Sequence, residues 1–157
     1  MNIRLAAPDD TQAISDLFTE FFAYNAEQQP EYYVAISEKG KYPGTVINSD
    51  NGDIIVAEIS NVIVGFLHIE EEATPPYSSI LPRKFACIVD FIVTLQYRGT
   101  GIGHLLLEEA KCWAKARNLE YLELMVLENN AAGISFYERE HFVTVSRTMR
   151  LDVSSDF

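Results

Sequence analysis

The chain is short of positive charge. Its 157 residues include 12 Lys and Arg against 23 Asp and Glu, a formal net charge of −11. A nucleic-acid backbone asks for a basic face, so this balance argues against such a partner. It suits a cationic small molecule, and it equally serves solubility. Cysteine is also scarce. Cys87 and Cys112 each sit in an apolar run, without metal-ligand spacing. They read as buried thiols in a reducing compartment, since a fold of this size does not need disulfide staples. No metal is expected. The opening stretch "MNIRLAAPDD" has no apolar signal core, and no segment reaches the length of a membrane span. A cytoplasmic protein without a membrane partner is the simplest reading. There is no internal repeat and no long linker, so residues 1–157 read as one domain.

What is present is the material of a globular core: 48% hydrophobic and 22% charged residues. "NIRLAA" reads as a short strand, and "PDD" supplies a proline and a capping aspartate for a helix. From Thr11 to Asn25, Ala13, Ile14, Leu17, Phe18, Phe21 and Phe22 recur at helical spacing. "EYYVAISEK" suggests a second short helix before the "GKYPG" breaker. "DIIVAEI", the Ser60-Asn61 turn and "VIVGFLHIEEE" read as a β-hairpin. The strand "KFACIVDFIVT", a helix to about Arg117, the strand "EYLELMVLE", the helix "NAAGISFYERE" and a last strand "HFVTVSRTMRLDV" follow. This order predicts a mixed α/β sheet covered by helices on both faces.

Glycines are few, yet Gly99, Gly101 and Gly103 fall within five positions at the mouth of a helix, just after Arg98. Such a cluster needs backbone angles or close approaches that a Cβ forbids. A helix N-terminus offers unpaired N–H groups and partial positive charge, which suits a phosphate. The dinucleotide pattern G-x-G-x-x-G fails, because His104 and Leu106 stand where its last glycine belongs. The nucleotide-hydrolase pattern G-x-x-x-x-G-K-[ST] is absent altogether.

What remains is R-x-x-G-x-G, through Arg98, Gly101 and Gly103. It resembles the acetyl-CoA pattern [QR]-x-x-G-x-[GA] of the GNAT superfamily of N-acetyltransferases. "NNAAGISFYEREHF" is similar to the family's N-x-x-A-x-x-x-Y-x-x-x-G-F segment, with Asn130, Tyr137 and Phe142 in register. "IRLAAPDD" resembles its opening strand and first cap. Two positions depart: Gly133 replaces an alanine, and His141 replaces the glycine that ends the helix in a left-handed conformation. A strained or shifted helix end is expected there.

The resemblance implies a GNAT-like mixed, mostly antiparallel sheet flanked by helices on both faces, with acetyl-CoA as cosubstrate. It implies that Arg98, Gly99, Thr100, Gly101, Ile102 and Gly103 hold the pyrophosphate. Main-chain groups of Ile92 and Val93 would meet the pantetheine arm, and Asn130 would contact the cofactor, cap a helix, or do both. Tyr137 is the implied general acid for the departing thiolate. The family's base is commonly a glutamate on the strand that here reads "FACIVDFIV", where Val89 or Cys87 stands instead. Asp90 has the opposite strand parity to both and is expected on the other face. Glu71, in the acidic run Glu70 to Glu72, is carried as the base, with His68 and its face-mates Glu70 and Glu72 as the other candidates and a water chain without a dedicated base as the alternative.

The expected acceptor is a primary amine, on a small molecule or alternatively on a protein lysine or N-terminus. A CoA-binding sensor without catalysis is the third reading. Substrate choice in the family is generally set by the first helices and the loop before the central strand. Here those regions combine Phe21, Phe22, Tyr24, Tyr32, Tyr33 and Tyr77 with acidic residues, which suits a cation. Homodimerisation is frequent in the family, and no residue here decides it.

Overall fold

The hydrophobic patterns become five strands and four helices in a computed structural model that describes residues 1–36 and 42–154. The strands are β1 (Asn2–Leu5), β2 (Gly52–Ile59), β3 (Val62–Ala73), β4 (Lys84–Val93) and β5 (Leu122–Leu124). They lie in sequence order in one sheet, antiparallel throughout except for the parallel pair β4–β5. The helices are α1 (Thr11–Gln28), α2 (Gly44–Ile47), α3 (Ile102–Ala116) and α4 (Ala131–Arg139).

Burial shows how the sheet is covered. Ile54 to Ala57 on β2 and Val64 to Ile69 on β3 are buried without alternation. Adjacent strand residues point to opposite faces, so an unbroken buried run requires cover on both sides. On one face, Ile54, Val56, Phe66 and Ile92 pack with Ile14 and Leu17 of α1 and Val46 of α2. On the other lies α3, whose Trp113 indole donates to Asp53 of β2 at 2.7 Å. A fully buried side chain such as Phe66 or Ile14 contributes about 1.5–3 kcal/mol.

Local chemistry sets the boundaries. Ser60 and Asn61 have φ of +50° and +63°, the left-handed pair of a two-residue hairpin loop closed by Ile59 opposite Val62. Helix α1 stops where the Gln29 amide bonds to the Asn25 carbonyl and Pro30 follows. Asp10 stands at the N-cap of α1, but its side chain serves the preceding 3₁₀ turn. It accepts from the Ala7 amide at 2.7 Å and is gripped by the Arg4 guanidinium at 2.6 and 3.0 Å.

Several expectations need correction. Strand β5 covers Leu122–Leu124 only, a third of the run "EYLELMVLE". The predicted last strand is irregular over residues 142–153, with every residue from 143 to 153 exposed. Alternation states which side chains share a face; it does not supply an edge to accept the strand's hydrogen bonds. In "EYYVAISEK", Glu31 and Tyr32 form a turn and Tyr33 to Ile36 are irregular, while residues 37–41 lie outside the described residues. Cys112 is exposed on the outer side of α3, and Cys87 is half-buried; both are free thiols. Among the described residues no helix is long and apolar enough to cross a membrane.

Two compact units are distinguished, Met1–Met125 and Val126–Phe157. The second is built on α4, whose N-terminus is capped by the Asn130 side chain accepting from the Gly133 amide at 3.0 Å. Just past the end of α4 at Arg139, His141 takes φ +69°, the left-handed angle expected for the family's glycine position.

Candidate functional site

The site is built at the end of β4. That strand has ten residues, but β5 pairs only with Ala86, Cys87 and Ile88. Beyond Ile88 the β5-side edge of β4 has no ladder partner among the described residues. The Thr94 amide bonds back to the Val64 carbonyl on β3. Main-chain groups alternate along an antiparallel strand, so those of Ile92 also face β3, and those of Phe91 and Val93 face the open edge. Of the two main-chain contacts predicted, Val93 has the required orientation and Ile92 does not; Ile92 is instead a buried core side chain.

The chain then turns through Leu95–Tyr97 into the glycine cluster. Gly99 and Gly101 have φ of +74° and +89°, the left-handed region that excludes most side chains. Gly101 is the N-cap of α3, and the first intrahelical bond runs from the Leu105 amide to the Gly101 carbonyl at 3.2 Å. The amides of Ile102, Gly103 and His104 therefore precede that bond at the positive end of a helix of 15 residues. No acidic residue occupies its first turn. A Cβ built on Gly99 or Gly101 meets nothing within 4 Å, so these glycines face open space where a phosphate can approach. The Thr100 hydroxyl donates to the Tyr97 carbonyl at 2.6 Å and braces the loop. Arg98 donates from Nε to the Val93 carbonyl at 2.8 Å, and its guanidinium lies 4.7 Å from the centre of the Tyr24 ring. It thereby ties α1, the open edge and the loop together.

On the α1 face of the sheet, next to that open edge, is a cluster that strand parity concealed. His68 pairs with Asp90 but Ile69 pairs with Ile88, so Val89 is an extra residue, a β-bulge. The bulge reverses the parity of everything after it. Asp90, opposite His68, and Cys87, opposite Glu70, consequently share one face, contrary to the expectation that Asp90 points away. His68 is 4% exposed. Its Nε2 lies 3.0 Å from Glu70 Oε1 and its Nδ1 lies 3.6 Å from Asp90 Oδ2. The Tyr42 ring is centred 5.6 Å from the His68 ring. Burial, reinforced by the Asp90 charge, holds the Tyr42 phenol well above the ordinary tyrosine range. Tyr33 is raised in the same sense, first by burial and also by Tyr32 and Asp90.

Glu71 lies elsewhere. It shares a face with Ile69, opposite to that of His68, and accepts from Lys84 at 2.9 Å. In the second unit, Tyr137 packs edge-to-face with Phe136 and Phe142, at centroid distances of 5.3 and 5.6 Å. Burial pushes its phenol up to about 12. Asn130 is the cap of α4. A surface depression of about 600 Å³ lies between α1 and the β2–β3 hairpin and is lined by Arg4, Asp10, Asp16 and Glu58. It contains none of the glycine-loop residues, and its acidic lining repels a phosphate.

Comparison with known proteins agrees with this geometry. The Acetyltransferase (GNAT) family matches residues 11–142. An uncharacterized N-acetyltransferase of Archaeoglobus fulgidus is 30% identical over 138 residues, covering 87% of this chain and 89% of its own. A mutant protein from Bacillus halodurans has the same fold, with a TM-score of 0.91, 22% identity and coverage of 98% and 99% of the two chains. An aminoglycoside N-acetyltransferase solved with CoA also shares it, at a TM-score of 0.73, 11% identity and coverage of 98% and 100%. With the family matched across most of its length and a left-handed glycine turn opening α3 beside an unpaired strand edge, the chain belongs to the GNAT family of acetyl-CoA-dependent acyltransferases.

Proposed function

We propose that the protein, as one domain over residues 1–157, transfers an acetyl group from acetyl-CoA to the primary amine of a small molecule by direct attack. The observation that carries this reading is the unpaired edge of β4 running into the N-terminus of α3. An extended pantetheine can add to such an edge by main-chain hydrogen bonds, while its pyrophosphate meets the amides of Gly101 to Gly103. Arg98 supplies the cation, and Gly99, Thr100 and Ile102 complete the turn. For the Val93 carbonyl to bond to pantetheine, Arg98 must release it and turn to the phosphates.

The acceptor must lose a proton, since a lysine-like amine has a reference pKa of about 10.4. It then attacks the thioester carbon, main-chain N–H groups on the β4 edge stabilise the oxyanion, and the thiolate leaves. Tyr137 donates to that sulfur. Its phenol, at about 12, stays protonated over the whole working range. Full transfer to a thiolate of pKa about 8.5 is uphill by roughly 5 kcal/mol, so Tyr137 acts chiefly as a hydrogen-bond donor. The carboxylates and aromatic rings on the α1 face suit a cationic amine. Glu71 is held by Lys84 on the opposite face, so the base role passes to the His68 side of the sheet. A cytoplasmic setting fits the two free thiols.

The test is release of CoA thiol from acetyl-CoA on adding spermidine, sisomicin or a lysine-containing peptide. Turnover with either small amine that exceeds turnover with the peptide supports the reading. Preference for the peptide would move the acceptor to proteins, and no thiol release with any amine would leave a CoA-binding protein without transferase activity.

A further inference from the structure

The mechanism above leaves unexplained why a histidine is buried between two carboxylates. His68 Nδ1 is buried and has no hydrogen-bond partner among the described residues. It faces Asp90 Oδ2 at 3.6 Å, while Nε2 is within bonding distance of Glu70 Oε1 at 3.0 Å. A neutral imidazole has one donor nitrogen and one acceptor nitrogen. Placed between two carboxylates, it always turns a lone pair toward one of them, and that repulsion is costly where water is excluded. A proton added to the cluster removes the repulsion. The arrangement is therefore a receptacle for one mobile proton, with its mouth on the acceptor side of the sheet.

The exposure of the three groups gives the path a direction. Asp90 is 17% exposed and sits on the stretch of β4 that β5 leaves unpaired, where the thioester is placed in the reading above. Glu70 is 34% exposed and opens to solvent. His68 joins them, and the half-buried Tyr42 ring lies beside it, 5.6 Å from the imidazole centre. The titratable groups facing this path are Glu70 on β3, Asp90 and, opposite Glu70, Cys87 on β4, Tyr42 ahead of α2 and, beside Asp90, Tyr33 after α1.

We infer that Asp90 is the general base of the transfer and that His68 is a positioning residue that relays the proton to Glu70 and the solvent. The inference rests on the transferase reading. The balance is simple. R–NH₃⁺ gives one proton to the Asp90 carboxylate and becomes R–NH₂. Its nitrogen then forms the C–N bond as the C–S bond breaks. The second nitrogen proton ends on the departing sulfur, giving CoA thiol. The first passes from Asp90 to His68 Nδ1, leaves from Nε2 to Glu70, and reaches water. One proton per turnover is exported.

Two measurements on the full chain test this. The first is ¹⁵N resonance of the histidine ring nitrogens in wild type and Asp90→Asn, with His104 and His141 as internal controls. Because Nδ1 loses the carboxylate it faces, both His68 ring-nitrogen resonances should move in the variant while the controls stay fixed. Unmoved His68 resonances would overturn the inference. The second is the pH profile of acetyl transfer to spermidine and sisomicin by His68→Gln. A 10–100-fold loss of kcat at pH 7 that narrows toward pH 9, where more amine is already deprotonated, with an unchanged KM for acetyl-CoA, supports the relay. A loss of equal size at every pH marks a packing role and overturns it while transfer stands. Absence of transfer in wild type overturns the relay together with the transferase reading.

Discussion

Single residues carry the chemistry, and each has a distinct expected signature. Tyr137→Phe keeps the ring contacts with Phe136 and Phe142 and removes only the hydroxyl. It should lower kcat by roughly 10²-fold, with little change in stability or in the KM for acetyl-CoA. Steady-state kinetics beside a thermal melt checks this, and a large fall in Tm with normal kcat would assign Tyr137 to packing. Asp10 is the structural counterpart. The Arg4 guanidinium holds its carboxyl below the ordinary range, so its stabilisation is complete above the unfolded pKa and is lost as pH falls through the folded one. Asp10→Asn should cost about 1–2 kcal/mol at pH 7 and progressively less as the pH is lowered below the unfolded carboxylate range, measured by denaturant titration. Much at this scale was readable from sequence. The turns at Gly101 and His141 are left-handed, as glycine spacing and the helix end suggest, and Asn130 caps α4. Asp90 was not readable. Parity along "FACIVDFIV" holds only for an unbroken ladder, and the extra residue at Val89 can be counted only against the partner strand.

At the scale of elements, the site is a mismatch between neighbours: a ten-residue strand beside a three-residue one, followed by a helix entered through glycine. Gly101→Ala meets no neighbouring atom, so its effect is confined to a φ of +89°. It should destabilise by about 1–2 kcal/mol and weaken acetyl-CoA binding by shifting the turn. Gly65→Ala differs in kind. Its Cβ would lie 2.8 Å from the Ile92 carbonyl oxygen, forcing β3 from β4 directly beneath the site. A comparable or larger stability loss is expected there, about 1–3 kcal/mol, with lower thiol release at saturating acetyl-CoA. The hairpin, α1, α3 and α4 were legible because turn residues and 3.6-residue periodicity are local. The extent of β5 and the fate of residues 142–153 were not, because a strand needs an edge and sequence pattern does not provide one.

For the whole molecule, charge and buried phenols govern behaviour. With a net charge of −11, the protein should attract polycationic amines over distance, so kcat/KM for spermidine should fall as salt is raised from about 0.02 to 0.2 M. An unchanged or rising value would mean that the acidic balance serves solubility alone. Burial raises the phenols of Tyr33, Tyr42 and Tyr137. Each then contributes stability that is complete below the unfolded value of about 10 and declines above it, as the unfolded chain ionises first. For Tyr137, between 10.0 and about 12, the loss is about 2–3 kcal/mol, so Tm should drop steadily beyond pH 10.

The loop that opens α3 is the central claim, and calorimetric titration with acetyl-CoA tests it most directly. Wild type should bind one equivalent per chain, and Gly101→Glu, which sets a carboxylate and a Cβ at a φ of +89° before the helix amides, should bind at least 100-fold more weakly while retaining its circular dichroism. Equal binding by the two proteins, or none by a folded wild type, would contradict it.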